Sequence, residues 1–356
     1  MDDNKVLTLV SQERIPMTGS MRLILEVSNL RSATPATVSR GGVLFINDAD
    51  IGWKPFFDSW LSKYKKAGTM GAYHDMAENV FTLCLTTYVS DAFLDDLRHK
   101  KHIAPVVELG HIDTLTTIID QLCTDLKGNK KSHEFLKRLK EDNKEEEIKS
   151  IYEGFFLFAG MWAFGASLDE DKNSFSNAWK SIAKIKFPEV GMCFDYYYDI
   201  QEGWLHWDTK VAPFNKEYDG LYINIIVPTA DTTRQAFLLD LHVRAKKGMI
   251  YVGTAGTGKS IIIKNYFNNL DPESVITQSI SMNSYTDSQA LQVVIESQVD
   301  KLSGSNYGPQ PGRTLIYFMD DVNMPKLDKY FTQSPICLVR QIIDYGLIYN
   351  REKLSV

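Results

Sequence analysis

Gly253-Thr254-Ala255-Gly256-Thr257-Gly258-Lys259-Ser260 satisfies the pattern GxxxxGK[ST] at every fixed position, and its reading decides the fold. Such a loop works by curling until several backbone N–H groups point inward at phosphate oxygens. Glycines supply the torsions that this curl requires and keep side chains out of the way. The helix that follows starts at the phosphates and adds the positive end of its dipole. Lys259 is expected to reach the β/γ oxygens, and the Ser260 hydroxyl to ligate magnesium. The context that the pattern demands is present. Met249–Val252 is a short apolar run that reads as a strand entering the loop, and helix-compatible residues follow from Lys259 to Asn269.

Further along, Leu315–Met319 (LIYFM) reads as a second buried strand and ends in Asp320-Asp321. An aspartate at a strand end beside the loop is what a magnesium site requires. Asp321 stands where hydrolytic relatives of such loops usually place glutamate to orient the attacking water. Aspartate is shorter by a methylene, and a positioning error of about an ångström costs about 100-fold in rate. Binding is therefore a stronger expectation than turnover.

Upstream, from Phe187 to Tyr222, Pro188, Gly191, Pro213 and Gly220 punctuate an aromatic run: Phe194, Tyr196, Tyr197, Tyr198, Trp204 and Trp207. The pattern predicts irregular strands and turns, and the α/β signal strengthens from Leu221. From Trp53 to Phe187 the period is helical. Ile112, Leu115, Ile118, Ile119, Leu122 and Leu126 form one stripe, and Phe81, Leu85 and Tyr88 mark an earlier helix. Ile151–Leu168 is the most apolar segment. It carries Glu153 and two glycines and reads as a buried helix, too interrupted to span a bilayer. Lys127–Ser150, dense in charge of both signs, reads as a solvated helix face or mobile loop. Nearer the start, Arg22–Val27 reads as a buried strand, and Val43–Ile46 as another. Asp2–Arg14 and Asp344–Lys353 share an acidic start, an apolar centre and a charged end, a weak likeness of the kind that tandem domains leave.

Composition bounds the rest. The 356 residues suffice for two or three folded units, and 44% hydrophobic with 24% charged is ordinary for globular protein. A net charge of −6 argues against a nucleic-acid module, and the aromatic run lacks interleaved Lys or Arg. Cys84, Cys123, Cys193 and Cys337 lie far apart and read as buried free thiols. No signal peptide or membrane span is expected, and neither a zinc cluster nor a Ser/His/Asp constellation is visible.

These residues resemble the AAA+ modules of dynein heavy chains along essentially the whole chain. Met21–Phe45 (MRLILEVSNLRSATPATVSRGGVLF) is similar to the end of the large subdomain of that family's second module. Tyr251–Ser260 and Ile316–Pro325 (IYFMDDVNMP) are similar to the Walker A and Walker B segments of the third. Phe155–Gly165 (FFLFAGMWAFG) and Phe187–Tyr196 (FPEVGMCFDY) resemble the connecting region of axonemal forms, particularly outer-arm β-type chains.

The resemblance implies an α/β fold, a P-loop NTPase of AAA+ type with a parallel sheet and flanking helices, plus a helical small subdomain. It divides the chain into residues 1–50, the end of the second large subdomain, and 51–186, its helical small subdomain. Residues 187–226 become an aromatic-rich connector, and 227–356 a third large subdomain. It implies ATP or ADP with Mg2+ as cofactors. Val227, Pro228 and Thr229, within Val227–Arg234, would lie against the adenine. Gly253, Thr254, Ala255, Gly256, Thr257, Gly258, Lys259 and Ser260 would hold the phosphates, with Ser260 and Asp320 on the metal. Asp321 would be catalytic. Arg40 would be a finger toward the nucleotide of the preceding module, where a planar guanidinium suits phosphate oxygens as they gain charge. Asn29 matches the sensor I position of the second module. Implied partners are neighbouring AAA+ modules of the same heavy chain, dynein intermediate and light chains, and microtubules through the parent motor. The implied location is the cytoplasm and cytoskeleton, in the axoneme of a cilium or flagellum. The family pattern continues on both sides, so the chain is expected to be a piece of a longer one. Rival readings are a non-hydrolysing module in which nucleotide glues two subdomains, and an unrelated P-loop enzyme, for which no acceptor pocket is visible.

Overall fold

The computed structural model describes residues 6–8, 12–27, 29–31, 33–66, 74–214, 225–353 and 355. The chain divides into two compact units after Asp58. In the first, β1 (Val6–Thr8) and β2 (Arg14–Pro16) pair antiparallel, with Leu7 opposite Ile15. Helix α1 (Pro35–Ser39) starts where the Thr34 hydroxyl accepts from Thr37 N at 3.3 Å and Pro35 supplies a helical φ without needing a donor. A second short helix, α2, covers Asp48–Ile51.

Arg22–Val27 and Val43–Ile46 are not the buried strands that their composition suggests. Neither has regular secondary structure, neither pairs with a strand among the described residues, and Ile24 is 93% and Phe45 83% exposed. An apolar run becomes a strand only when its N–H and C=O groups find a neighbouring backbone, and composition does not carry that neighbour.

The second unit begins within α3 (Lys54–Lys66) and continues as a helical layer: α4 (His74–Tyr88), α5 (Asp91–His99), α6 (Glu108–Gly128), α7 (Lys130–Glu141), α8 (Glu145–Gly165) and α9 (Lys172–Ile182). Three of the starts have a local cause. Ser90 caps α5 by accepting from Phe93 N, Asn129 caps α7 by accepting from Lys131 N, and three glutamates at the start of α8 face the positive end of its dipole. The stripe on α6 is buried at Ile112, Leu115, Ile118, Ile119 and Leu126, with Leu122 half-buried. Lys127–Ser150 is mostly helix, the first of its two expected forms, and Leu136 and Leu139 of α7 are buried beneath its charged face. Central to the layer is α8, buried almost all round and packed against α4, α6, α7 and α9. At Gly160 a β-carbon would sit 2.5 Å from the Trp179 ring, so that crossing needs glycine. His111 of α6 donates from Nδ1 to the Ala163 carbonyl of α8 at 2.6 Å, and burial lowers its pKa.

Next come β3 (Tyr196–Asp199) and β4 (Gly203–His206), an antiparallel hairpin in the aromatic run. Trp207 is buried and its Nε1 donates to Phe194 O at 3.1 Å. Gly220, Leu221 and Tyr222 lie outside the described residues, as do residues 2–5 and 9–11 of the likeness between the two chain ends.

The α/β part follows with α10 (Ala230–Arg244), α11 (Lys259–Asn268), β5 (Val275–Ser281), α12 (Ser288–Glu296), β6 (Asp300–Ser303), β7 (Asn306–Gly308), β8 (Thr314–Asp320) and α13 (Ser334–Tyr345). Strands β5 and β8 run parallel, from Val275 opposite Thr314 to Ser281 opposite Asp320. Alternation along β8 sends Tyr317 and Met319 to a core shared with α12 and α13, and Phe318 to Phe267 of α11 on the other face. Asp320 has the parity of Phe318 and so lies on the α11 side. Met249–Val252 has no regular secondary structure and joins no sheet among the described residues, and Ile250 is 85% exposed. Its strand assignment fails for the reason given for Arg22–Val27. Three cysteines are buried free thiols, whereas Cys337 is exposed, contrary to expectation. Among the described residues no helix is long and apolar enough to cross a membrane.

Candidate nucleotide site

Gly253 to Thr257 form an exposed loop, and Gly258, Lys259 and Ser260 are half-buried at the start of α11. Gly256 and Gly258 both hold φ of +82°, a left-handed conformation that side chains disfavour. Gly258 brings no side chain to cap α11, so the first amides of the helix stay open to an anion. Lys259 reaches back across the loop: Nζ donates to Gly253 O at 2.9 Å, Thr254 O at 2.6 Å and Thr257 Oγ1 at 3.4 Å. Thr257 Oγ1 in turn donates to Thr254 O at 3.0 Å. Ala255 is exposed at the tip.

The Ser260 hydroxyl donates to Asp320 Oδ2 at 2.8 Å, joining the start of α11 to the end of β8. Asp320 Oδ1 accepts from Asp321 N at 3.2 Å. Asp321 itself is left-handed at φ +54° and opens a tight turn, with Met324 N donating to its carbonyl at 2.9 Å. A hydroxyl and a carboxylate are the hard oxygen donors that magnesium takes beside substrate phosphates, so the residues fit that ion. Among the described residues no cluster of three or more His, Cys, Asp or Glu could hold a metal by itself.

Val227, Pro228 and Thr229 lead into α10, with Thr229 extended at φ -131°. Thr229 caps the helix reciprocally with Thr232: its hydroxyl accepts from Thr232 N at 3.2 Å, and its N–H donates to the Thr232 hydroxyl at 2.8 Å. Helix α10 is tied to both flanks of the loop. Tyr251 donates to Gln235 O at 3.0 Å, and Tyr266 to Asp240 Oδ1 at 2.9 Å. Sequence reading singled out neither tyrosine. The i, i+4 spacing of Asp240 and Arg244 was visible, but their partners were not. Arg40 caps the C-terminal end of α1 in the other unit, and the Asn29 side chain accepts from Arg31 N at 3.2 Å.

A glycine loop opening a helix, its serine bonded to a strand-end aspartate and a helical layer preceding it in the chain, defines a P-loop nucleotide-binding module of AAA+ type. Comparison with known proteins makes this narrower. Residues 62–209 match the model of the dynein heavy chain AAA lid domain, and residues 214–356 that of the P-loop containing dynein motor region. Over its full length the chain is 39% identical to dynein axonemal heavy chain 17 of Mus musculus and 37% to dynein axonemal heavy chain 11 of Sus scrofa. It is 38% identical to the dynein β chain of the flagellar outer arm of Chlamydomonas reinhardtii, again over its full length. The chain belongs to the dynein heavy-chain family, with its likeness to axonemal forms that include β chains. It spans 8% of the length of each of these relatives.

Proposed function

We propose that this chain is the part of an axonemal dynein motor ring that binds ATP or ADP with Mg2+ at a third AAA+ module. The Ser260–Asp320 hydrogen bond carries the reading, because it puts the two expected metal ligands at one point beside the loop. The open amides of α11 and the Lys259 ammonium would meet phosphate charge, and Ser260 and Asp320 would hold the metal. Magnesium bound there would neutralise charge on the β/γ oxygens. Residues 1–50 and 51–186 would then finish the second module, 187–226 connect, and 227–356 form the large subdomain of the third. In the parent motor Arg40 would face the nucleotide of the preceding module, and Val227, Pro228 and Thr229 the adenine. Neighbouring AAA+ modules, intermediate and light chains, and microtubules reached through the parent are the corresponding partners, in the cytoplasm and cytoskeleton of a ciliary or flagellar axoneme. The third-module site would regulate the ring rather than drive its stroke.

Lys259→Ala is expected to abolish binding of a fluorescent ATP analogue to the full chain, and unchanged affinity discards the assignment. A second reading, nucleotide as a non-hydrolysed glue between subdomains, is favoured by Asp321, both for its shorter side chain and for its φ of +54°. Thermal protection by Mg-ATP without phosphate release supports the glue. Phosphate release that disappears in Asp321→Asn supports an ATPase.

A further inference from the structure

Among the described residues two ionic ties join α10 and the turn that follows it to the helical layer, and one of them continues to the helix that opens at the phosphate loop. Arg244 donates in bidentate fashion to Asp125 near the end of α6, through NH1 to Oδ1 and through NH2 to Oδ2 at 3.0 Å. The same guanidinium uses Nε to hold Asp240 Oδ2 at 2.7 Å, and the other oxygen of Asp240 accepts from Tyr266 on α11. Asp240 therefore divides its two oxygens between the helix that opens at Lys259 and the arginine that grips the lid. The second tie, Lys247 Nζ to Asp113 at 2.9 Å and 3.0 Å, touches no residue of α11.

We propose that Tyr266, Asp240, Arg244 and Asp125 form a relay through which nucleotide occupancy of the loop sets the position of lid helix α6. All four are positioning residues, since none touches the phosphate site. The chemistry favours transmission over mere adhesion. The planar fork of Arg244 is rigid, and each bond in the series fixes the direction of the next. A shift of α11 on closing around an anion moves the Tyr266 hydroxyl. Asp240 must then follow it or release it, and either outcome changes the geometry at Arg244. The coupling so defined is reciprocal, so anything that displaces Asp125 alters nucleotide affinity by the same factor. The relay rests on nucleotide binding at the loop, as proposed above.

Amide hydrogen exchange of the full chain with and without Mg-ATP tests it. The wild type is expected to gain protection at 253–262 and also along Glu108–Gly128. Tyr266→Phe keeps the ring and leaves Asp240 paired with Arg244, so it should fold, bind nucleotide and protect the loop while losing the response of α6. Asp125→Ala should do the same from the other end. The double variant should shift affinity no further than either single change. Asp113→Asn removes the charge of the parallel tie and is expected to leave the response of α6 intact. Protection of α6 that survives in Tyr266→Phe, or that Asp113→Asn removes equally, overturns the relay. A protected loop with a silent α6 in the wild type overturns it as well and leaves the binding site standing. A wild-type loop that gains no protection overturns both.

Discussion

Gly258 and Asp321 both hold left-handed backbone, at φ +82° and +54°, and the cost to the chain differs. Glycine occupies that region freely, while aspartate is among the few residues with a β-carbon that tolerate it. Gly258→Ala should therefore cost about 1–2 kcal/mol of conformational strain. It should also weaken ATP-analogue binding, because on the proposed function the residue would set how the first turn of α11 meets the phosphates. Chemical denaturation and analogue titration on the same preparation check both effects. A variant with unchanged stability and affinity shows that the left-handed torsion is not required. The glycine loop and the helix it opens were legible in the sequence because loop backbone chemistry restricts residue identity so narrowly that spacing names them. The torsion of Asp321 and the closure of Lys259 onto Gly253 O and Thr254 O were not legible, since both depend on the path the chain takes afterwards.

Among the elements, helices were legible and isolated strands were not. The stripe on α6 buries as its period predicts, because a helix completes its own backbone hydrogen bonds and asks its neighbours only for apolar cover. Arg22–Val27, Val43–Ile46 and Met249–Val252 needed another backbone, which no local pattern specifies. The packing of α8 against α9 and α6 yields two expectations. A methyl at Gly160 meets the Trp179 ring at 2.5 Å, so Gly160→Ala should cost about 1–3 kcal/mol by overpacking. Gly128→Ala, at a site with nothing within 4 Å, serves as the tolerated control in the same denaturation series. His111 supplies the second. Burial depresses its pKa below the ordinary 6.5, so in that interval the unfolded chain binds a proton that the folded chain refuses. Stability must then fall as the pH drops below about 6.5. Replacing the imidazole by an amide in His111→Gln keeps a donor for Ala163 O and should flatten the curve of melting midpoint against pH. An equally steep curve in the variant would place the proton uptake elsewhere.

At the scale of the whole molecule, the lid helices and the phosphate loop fall in one compact unit, residues 59–356. Sequence composition allowed two or three units but could not say which segments melt together, because cooperativity depends on contacts across the α6–α10 and α10–α11 boundaries. A ligand that binds only the folded form stabilises everything that unfolds with its site, by about 2.7 kcal/mol at a hundredfold excess over Kd. Five of the six tryptophans lie in residues 59–356, and none is in the loop: Trp60, Trp162, Trp179, Trp204 and Trp207 report on the lid and the aromatic hairpin. Mg-ATP is therefore expected to raise the midpoint of the tryptophan fluorescence melt, and Lys259→Ala to remove that rise while keeping the unliganded midpoint close to wild type. If nucleotide instead raised only the unfolding temperature of segments near β5 and β8, measured by hydrogen exchange, and left the tryptophan transition in place, the lid would melt on its own. The unit would then be two folding domains in contact, and nucleotide energy would stop at α10 instead of holding the lid.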